Sequence, residues 1–346
     1  MLKWYEQKMD SQDILAASRI RLSRNFKAYP FPCRQAKEEQ KALLQNLLNS
    51  SQGLEEVVNL PFEGCDLSEF GETHKKALEE RYLINKSAMN KKSPTGLVVS
   101  ADEAYSLLFQ CDDHIRMQLS RRGLKLEEIW EQIDRIDDYF SQKEEYAFDE
   151  KLGYLTTFPT NVGTGMKAYV ILHLPFLCSS EKVRSMFQEM GRYGVNVRGG
   201  FGRLEDNPGN LVVLYNQKTL GISEEEIIQI LNKVATHIRH QEERARTYNI
   251  EHYRLEMEDR VYKSYGLLKY SRLLTLEDAL EHISNLQWGL SCGFIHSDTV
   301  FNGYQMMLEI QPANLQVISD RPMEDLVICK ARAEYIQKRL PQIETK

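Results

Sequence analysis

Asp112-Asp113-His114-Ile115-Arg116 places two carboxylates, an imidazole and a guanidinium within five residues. Such a group can orient a cationic substrate or a metal with its carboxylates while Arg116 binds phosphate. It equally describes a surface ion-pair network in which Asp112 or Asp113 caps a helix, and a single His114 is more often a structural hydrogen-bonding residue than a base. A second segment, Ser18-Arg19-Ile20-Arg21-Leu22-Ser23-Arg24, alternates basic with apolar or small side chains. As a strand it projects Arg19 and Arg21 from one face, a geometry that suits phosphate. The alternative is a solvated edge strand whose charges oppose aggregation. Two glycine-containing segments complete the set: Asn161 to Lys167, with Lys167 directly after the turn, and Arg198-Gly199-Gly200-Phe201-Gly202-Arg203. Glycine lets backbone approach a phosphate closely, although a tight hairpin demands it too. The GxxxxGK[ST] spacing of a Walker loop is absent.

These residues need elements to position them. Leu97-Val98-Val99, Ala168 to Leu174, Val195 to Arg198 and Leu211 to Tyr215 have the apolar, β-branched character of strands. Leu126, Ile129, Ile133, Ile136 and Phe140 recur three or four residues apart and predict a helix with an acidic outer face. Ser223 and Glu226 form a capping box ahead of Ile227, Leu231, Val234 and Ile238. Thr275 with Asp278 is a further capping signal, and Gln311-Pro312 is a turn signal. From about residue 224 onward the pattern is almost wholly helical. The chain is therefore divided near 245, with a mixed α and β part over 1–245 and a helical domain over 246–346.

At 346 residues, with 42% hydrophobic and 27% charged side chains, the composition excludes a disordered, collagen-like or disulfide-scaffold chain. Forty-four basic residues are outnumbered by 50 acidic ones, so nothing in the global charge favours nucleic acid, and an anion site must come from local clustering. Cys33, Cys65, Cys111, Cys178, Cys292 and Cys329 show neither CxxC nor Cys/His ligand spacing, so no metal site is expected and the thiols fit a reducing cytosol. No apolar run is long enough to span a bilayer, and the first residues lack a signal-peptide core. A cytoplasmic protein without membrane contact is expected.

The order and spacing of SRIRLSRN, DDHIRMQ, GYLTTFPTNVGTGMKAYVILHLP and VRGGFG resemble the motifs of the ATP:guanido phosphotransferases. The likeness is closest to the bacterial protein arginine kinases. With SRIR at Ser18, the helical N-terminal domain of phosphagen kinases is not expected, while MEDRVYKSYGLL and MLEIQPANLQ are similar to segments of the arginine kinases. The resemblance implies an α+β fold: an antiparallel sheet flanked by helices, followed by an α-helical C-terminal domain. It implies Mg-ATP as phosphoryl donor, bound along Ser18, Arg19, Ile20, Arg21 and Leu22, by Arg116, along Lys167, Ala168, Tyr169, Val170 and Ile171, and along Arg198, Gly199, Gly200, Phe201, Gly202 and Arg203. Asp112, Arg116 and Arg198 become the catalytic residues, acting on exposed arginines of protein substrates. A heat-shock repressor, the Clp protease machinery and a second copy of the chain are the partners it implies.

The sequence departs from the family pattern on the acceptor side. The Asn-Glu-Glu-Asp-His motif reads Gln110-Cys111-Asp112-Asp113-His114, so one acid is lost and the catalytic carboxylate is one methylene shorter. Phe158 stands where the family has cysteine, Lys167 where it has arginine, and Arg203 where it has the glutamate that grips the acceptor, unless Glu205 takes over. In place of the RDxxRA phosphoarginine-recognition motif stands Ile328-Cys329-Lys330-Ala331-Arg332-Ala333, in which Arg332 either pairs with phosphate or lies on an exposed helix face ending in Lys338 and Arg339. Two readings follow: an active, divergent kinase, or an impaired one that acts as a nucleotide- or protein-binding regulator.

Overall fold

The computed structural model describes the chain except residues 8–13, 181–182, 205, 298, 321 and 345–346. It folds as two compact units, each assembled from separate segments. The first comprises Met1–Trp4, Ala17–Tyr169 and Tyr215–Asn232, and the second Tyr5–Ala16, Val170–Leu214 and Lys233–Lys346.

The sheet strands are β1 (Leu15–Arg24), β2 (Phe62–Asp66), β3 (Gly96–Ser100), β4 (Tyr105–Phe109), β5 (Ile115–Arg122), β6 (Met166–His173), β7 (Val195–Gly199) and β8 (Leu211–Asn216). Their order is β2-β3-β4-β5-β1-β6-β8-β7; β2 to β5 lie wholly in the first unit, β7 wholly in the second, and β1, β6 and β8 have residues in each. Every pairing from β2 through to β1 is antiparallel. The expected α+β architecture is present. However, β1 runs between β5 and β6, so the solvated-edge reading of the arginine-rich segment is wrong.

The register of β1 against β5 sorts the segment's side chains. Arg19 faces Ser120, Arg21 faces Gln118 and Ser23 faces Arg116, which puts both basic positions and Arg116 on one face. Ile20 pairs with Leu119 and Leu22 with Met117 on the opposite face, where all four are fully buried. The Leu126–Ser141 helix packs against β5, and its predicted stripe from Leu126 to Phe140 is excluded from solvent. At its start the Lys125 amide donates to Ser18 Oγ at 2.9 Å.

The segment after Asn216 becomes the Glu224–His252 helix, opened by the predicted capping box: the Ser223 amide donates to Glu226 Oε2 and the Glu226 amide to Ser223 Oγ. Residue 245 lies inside this helix, so the backbone passes the sequence-based division without a break. The second unit then adds the helices Arg254–Tyr270, Leu276–Ser291, Gly303–Glu309, Pro312–Ile318 and Asp325–Arg339. Thr275 caps the second of these by accepting from the Asp278 amide, and Pro312 begins the fourth. Arg332 does not lie on an exposed helix face. It is buried, its Nε donates to Ile310 O at 3.1 Å, and its Nη1 donates to Leu274 O at 2.9 Å.

Candidate active site

Within the first unit, β1 supplies Arg21, β5 supplies Arg116, β6 supplies Lys167 and Tyr169, and the end of β8 supplies Tyr215 to one cavity of about 330 Å³. Arg21 Nη2 donates to Asn161 Oδ1 at 3.3 Å, while its Nε is buried without a partner. Arg116 reaches Gln118 Oε1 at 3.5 Å through Nη2, and its Nε and Nη1 are both buried and unpartnered. Burial, reinforced by Arg21, pushes the Arg116 guanidinium down to about 10. Lys167 is held by the carbonyls of Asn216 and Gln217 at 3.2 and 3.3 Å, and burial with Arg21 nearby lowers its ammonium to about 8. Desolvated cations with unused donors are costly, and an anion with several oxygens relieves the cost. The turn before β6 must hug β1: Gly165 has φ +66°, and a Cβ there would lie 2.5 Å from Arg24 Nη1.

The turn between β4 and β5 carries the acidic cluster and contains no helix for Asp112 or Asp113 to cap. Two of its residues serve the architecture. His114 is buried; its Nδ1 accepts from the Phe26 amide at 3.0 Å, which assigns the proton to Nε2, donating to Pro30 O at 3.0 Å. Burial lowers this imidazole to about 4, so at neutral pH it is uncharged and structural. Asp113 Oδ1 accepts from Asn25 Nδ2 and from the Thr157 amide, both at 2.7 Å. Thr157 Oγ1 also donates to Asp112 O at 2.8 Å, binding the segment before Phe158 to this turn.

Asp112 differs from its neighbours in facing open space. Its Oδ2 accepts from Asn85 Nδ2 at 3.1 Å and its Oδ1 from Ser87 Oγ at 2.5 Å. Asn85 is fixed in turn as the N-cap of the Lys86–Asn90 helix, where its Oδ1 accepts from the Ala88 amide. Beside the cationic cavity lies a second cavity of about 660 Å³, reached by Cys33, Lys86, Lys91 and Cys111. Ser87, Asp112 and Phe158 line both cavities and form the boundary between them. A carboxylate at that boundary can hold a cationic group beside the space that Arg21, Arg116 and Lys167 offer to an anion.

Of the expected nucleotide-binding positions, Arg21, Arg116, Lys167 and Tyr169 share this cavity with Asp112. The others are placed outside this cavity's lining. Ser18, Ile20, Leu22 and Ala168 are wholly buried, so their side chains cannot meet a nucleotide. The Arg19 guanidinium lies 4.4 Å from the Tyr82 ring centroid, and its Nε donates to Ser120 Oγ at 3.0 Å. Val170, Ile171 and the Arg198 to Arg203 segment belong to the second unit, where Val170 and Ile171 are core residues. Arg198 is exposed, its Nη1 turned to Gly199 O at 3.4 Å, and Arg203 is also exposed. Gly199 answers a packing need, since a Cβ would lie 2.7 Å from Arg203 O. Glu205 lies outside the described residues.

Sequence reasoning missed Asn85, Ser87 and Tyr215. The first two sit 25 or more residues before Asp112, and only the N-cap character of Asn85 marked the place. The role of Arg24 was also missed: it is a buried structural cation whose Nε lies 3.1 and 3.0 Å from the two carboxylate oxygens of Asp137, with the Tyr154 ring 3.6 Å away.

The chain belongs to the ATP:guanido phosphotransferase family, whose C-terminal catalytic domain matches residues 43–245. Residues 254–346 match the protein-arginine kinase McsB C-terminal domain. The protein-arginine kinase of Brevibacillus brevis is 32% identical over 342 residues, covering 99% of this chain and 96% of that protein. That of Bacillus mycoides is 35% identical over 339 residues, covering 97% and 95%. Among solved structures, lombricine kinase superposes with a TM-score of 0.56 at 18% identity over 69% of each chain. The duplicated taurocyamine kinase of Schistosoma mansoni, with bound transition-state-analogue components, gives 0.59 at 20% identity over 70% of this chain and 35% of that one. At such identities the two structures establish a shared fold.

Proposed function

We propose that this chain transfers the γ-phosphoryl group of ATP to arginine side chains of proteins. The observation that carries the reading is the convergence of Arg21, Arg116 and Lys167 on one cavity, with buried guanidinium donors lacking acceptors, next to the Asp112 carboxylate. Relatives named protein-arginine kinase along nearly the whole chain support the choice of acceptor.

Phosphoryl transfer asks the protein for position and charge more than for covalent chemistry. Arg116 and Arg21 offer planar N–H forks to phosphate oxygens, and Lys167 adds a point charge. Asp112 orients the incoming guanidinium, whose proton must leave before nitrogen can attack phosphorus, because a free guanidinium holds it to a pKa above about 12. Family resemblance brings Mg²⁺ to this site with ATP, where the unpartnered donors of Arg21 and Arg116 and the Lys167 ammonium would hold the triphosphate. Bound there, the metal would neutralise part of the phosphate charge. Arg198 and the Gly199–Arg203 turn enter the proposal by family resemblance, as does the assignment of 1–245 as catalytic domain and 246–346 as helical C-terminal domain. By the same resemblance we place the protein in the cytoplasm as a homodimer in stress response, with a heat-shock repressor and Clp protease components as partners.

The test is incubation with radiolabelled Mg-ATP and an arginine-rich acceptor protein. Acid-labile label on the acceptor with wild type, and its loss in Arg116→Ala, supports the proposal. No label with wild type, together with retained ATP binding, would instead make the chain a nucleotide-binding regulator.

A further inference from the structure

We propose that Ser87 relays the acceptor proton to Asp112. The inference rests on the phosphoryl-transfer reading above and concerns how a shortened carboxylate serves it. Asp112 occupies the place at which the resembling kinases carry glutamate, so its oxygens are drawn back toward the backbone by one methylene. Ser87 is in contact with it: its hydroxyl donates to Asp112 Oδ1 at 2.5 Å, and Ser87 is itself exposed. Asn85 holds the other oxygen, Oδ2, and so fixes the carboxylate's rotation.

The hydroxyl's place between two cavities gives it a task. Ser87 and Asp112 both line the cationic cavity and the larger one beside it. With its proton committed to Asp112, Ser87 Oγ presents lone pairs, and a guanidinium N–H is their natural donor. An acceptor arginine entering the 660 Å³ cavity therefore meets Ser87 Oγ on its way to the phosphate side.

The step balances. The N–H bond of the acceptor breaks and its proton passes to Ser87 Oγ, while the proton of Ser87 passes to Asp112 Oδ1. The electron pair left on nitrogen forms the N–P bond, and the bond from the γ-phosphorus to the bridging oxygen breaks, leaving ADP with that pair. Asp112 ends protonated and Ser87 ends as it began.

Single-turnover transfer to an arginine-containing peptide, measured beside ATP affinity, tests the relay. Ser87→Ala should slow transfer about 100-fold, within the range of general acid–base contributions, with ATP affinity unchanged. Ser87→Thr, which keeps the hydroxyl, should retain most of the rate. Adding Asp112→Glu to Ser87→Ala should recover much of the loss, because the longer carboxylate reaches the acceptor directly; a merely structural serine would not be rescued this way. A Ser87→Ala protein as fast as wild type, or a double variant no faster than Ser87→Ala, overturns the relay alone. Absence of transfer by wild type overturns the kinase reading and the relay with it.

Discussion

The guanidinium groups of Arg21 and Arg116 face one cavity, repel each other, and make no ion pair among the described residues. A protein keeps such an arrangement against its own stability when a ligand completes it. Arg116→Ala should therefore weaken Mg-ATP binding by roughly 10- to 100-fold, the worth of one or two charge-assisted hydrogen bonds. The melting temperature of the ligand-free protein should hold or rise, because an uncompensated buried charge is removed. Calorimetric titration and thermal denaturation read the two effects, and an unchanged ATP affinity removes Arg116 from the phosphate site.

Lys167 gives the site a pH dependence. Its ammonium titrates at about 8 in the free protein, and phosphate favours the charged form. Its contribution to nucleotide affinity is thus complete below pH 8 and declines as pH rises through that value, approaching tenfold per unit. Affinity measured from pH 8 to 9.5, where the triphosphate keeps a constant charge, should fall in wild type and stay flat in Lys167→Arg. A flat wild-type profile contradicts the assignment.

Arg24 and Asp137 test the fold beneath the site. Their pair is almost fully buried, and Arg24 Nη1 also binds the carbonyls of Ser23 and Thr164. Asp137→Ala strands that cation and should cost about 3–5 kcal/mol in denaturant unfolding. A loss below about 1 kcal/mol would mean that solvent reaches the guanidinium.

The sequence made the framework legible where local chemistry decides it. The Leu126 to Phe140 stripe and the Ser223 capping box stand as expected, because helical periodicity and caps act over a few residues. The alternation in Ser18 to Arg24 did foretell one basic face, yet two of its arginines have protein partners that no local pattern announces: Arg19 stacks on Tyr82 and Arg24 pairs with Asp137. Their partners lie 63 and 113 positions away in the chain, beyond any spacing rule. Asn85 and Ser87 were hidden for the same reason, since the β4–β5 turn alone brings Asp112 to them.

Arg332 has a packing role that the sequence did not announce. It ties the Ile310 carbonyl at the end of the Gly303–Glu309 helix to Leu274. Arg332→Ala leaves two acceptors unsatisfied and should lower stability by roughly 1–3 kcal/mol for each one that stays buried. Chemical denaturation checks this, and an unchanged midpoint would show that the side chain is dispensable for packing.

The central claim is that Asp112 takes part in phosphorylating arginine. Phosphorus NMR of an arginine-rich acceptor after incubation with Mg-ATP tests it most directly. Wild type should produce a phosphoarginine resonance, and Asp112→Ala, with its ATP affinity intact, should produce none. Equal phosphoarginine from both proteins, or none from wild type, would contradict the account.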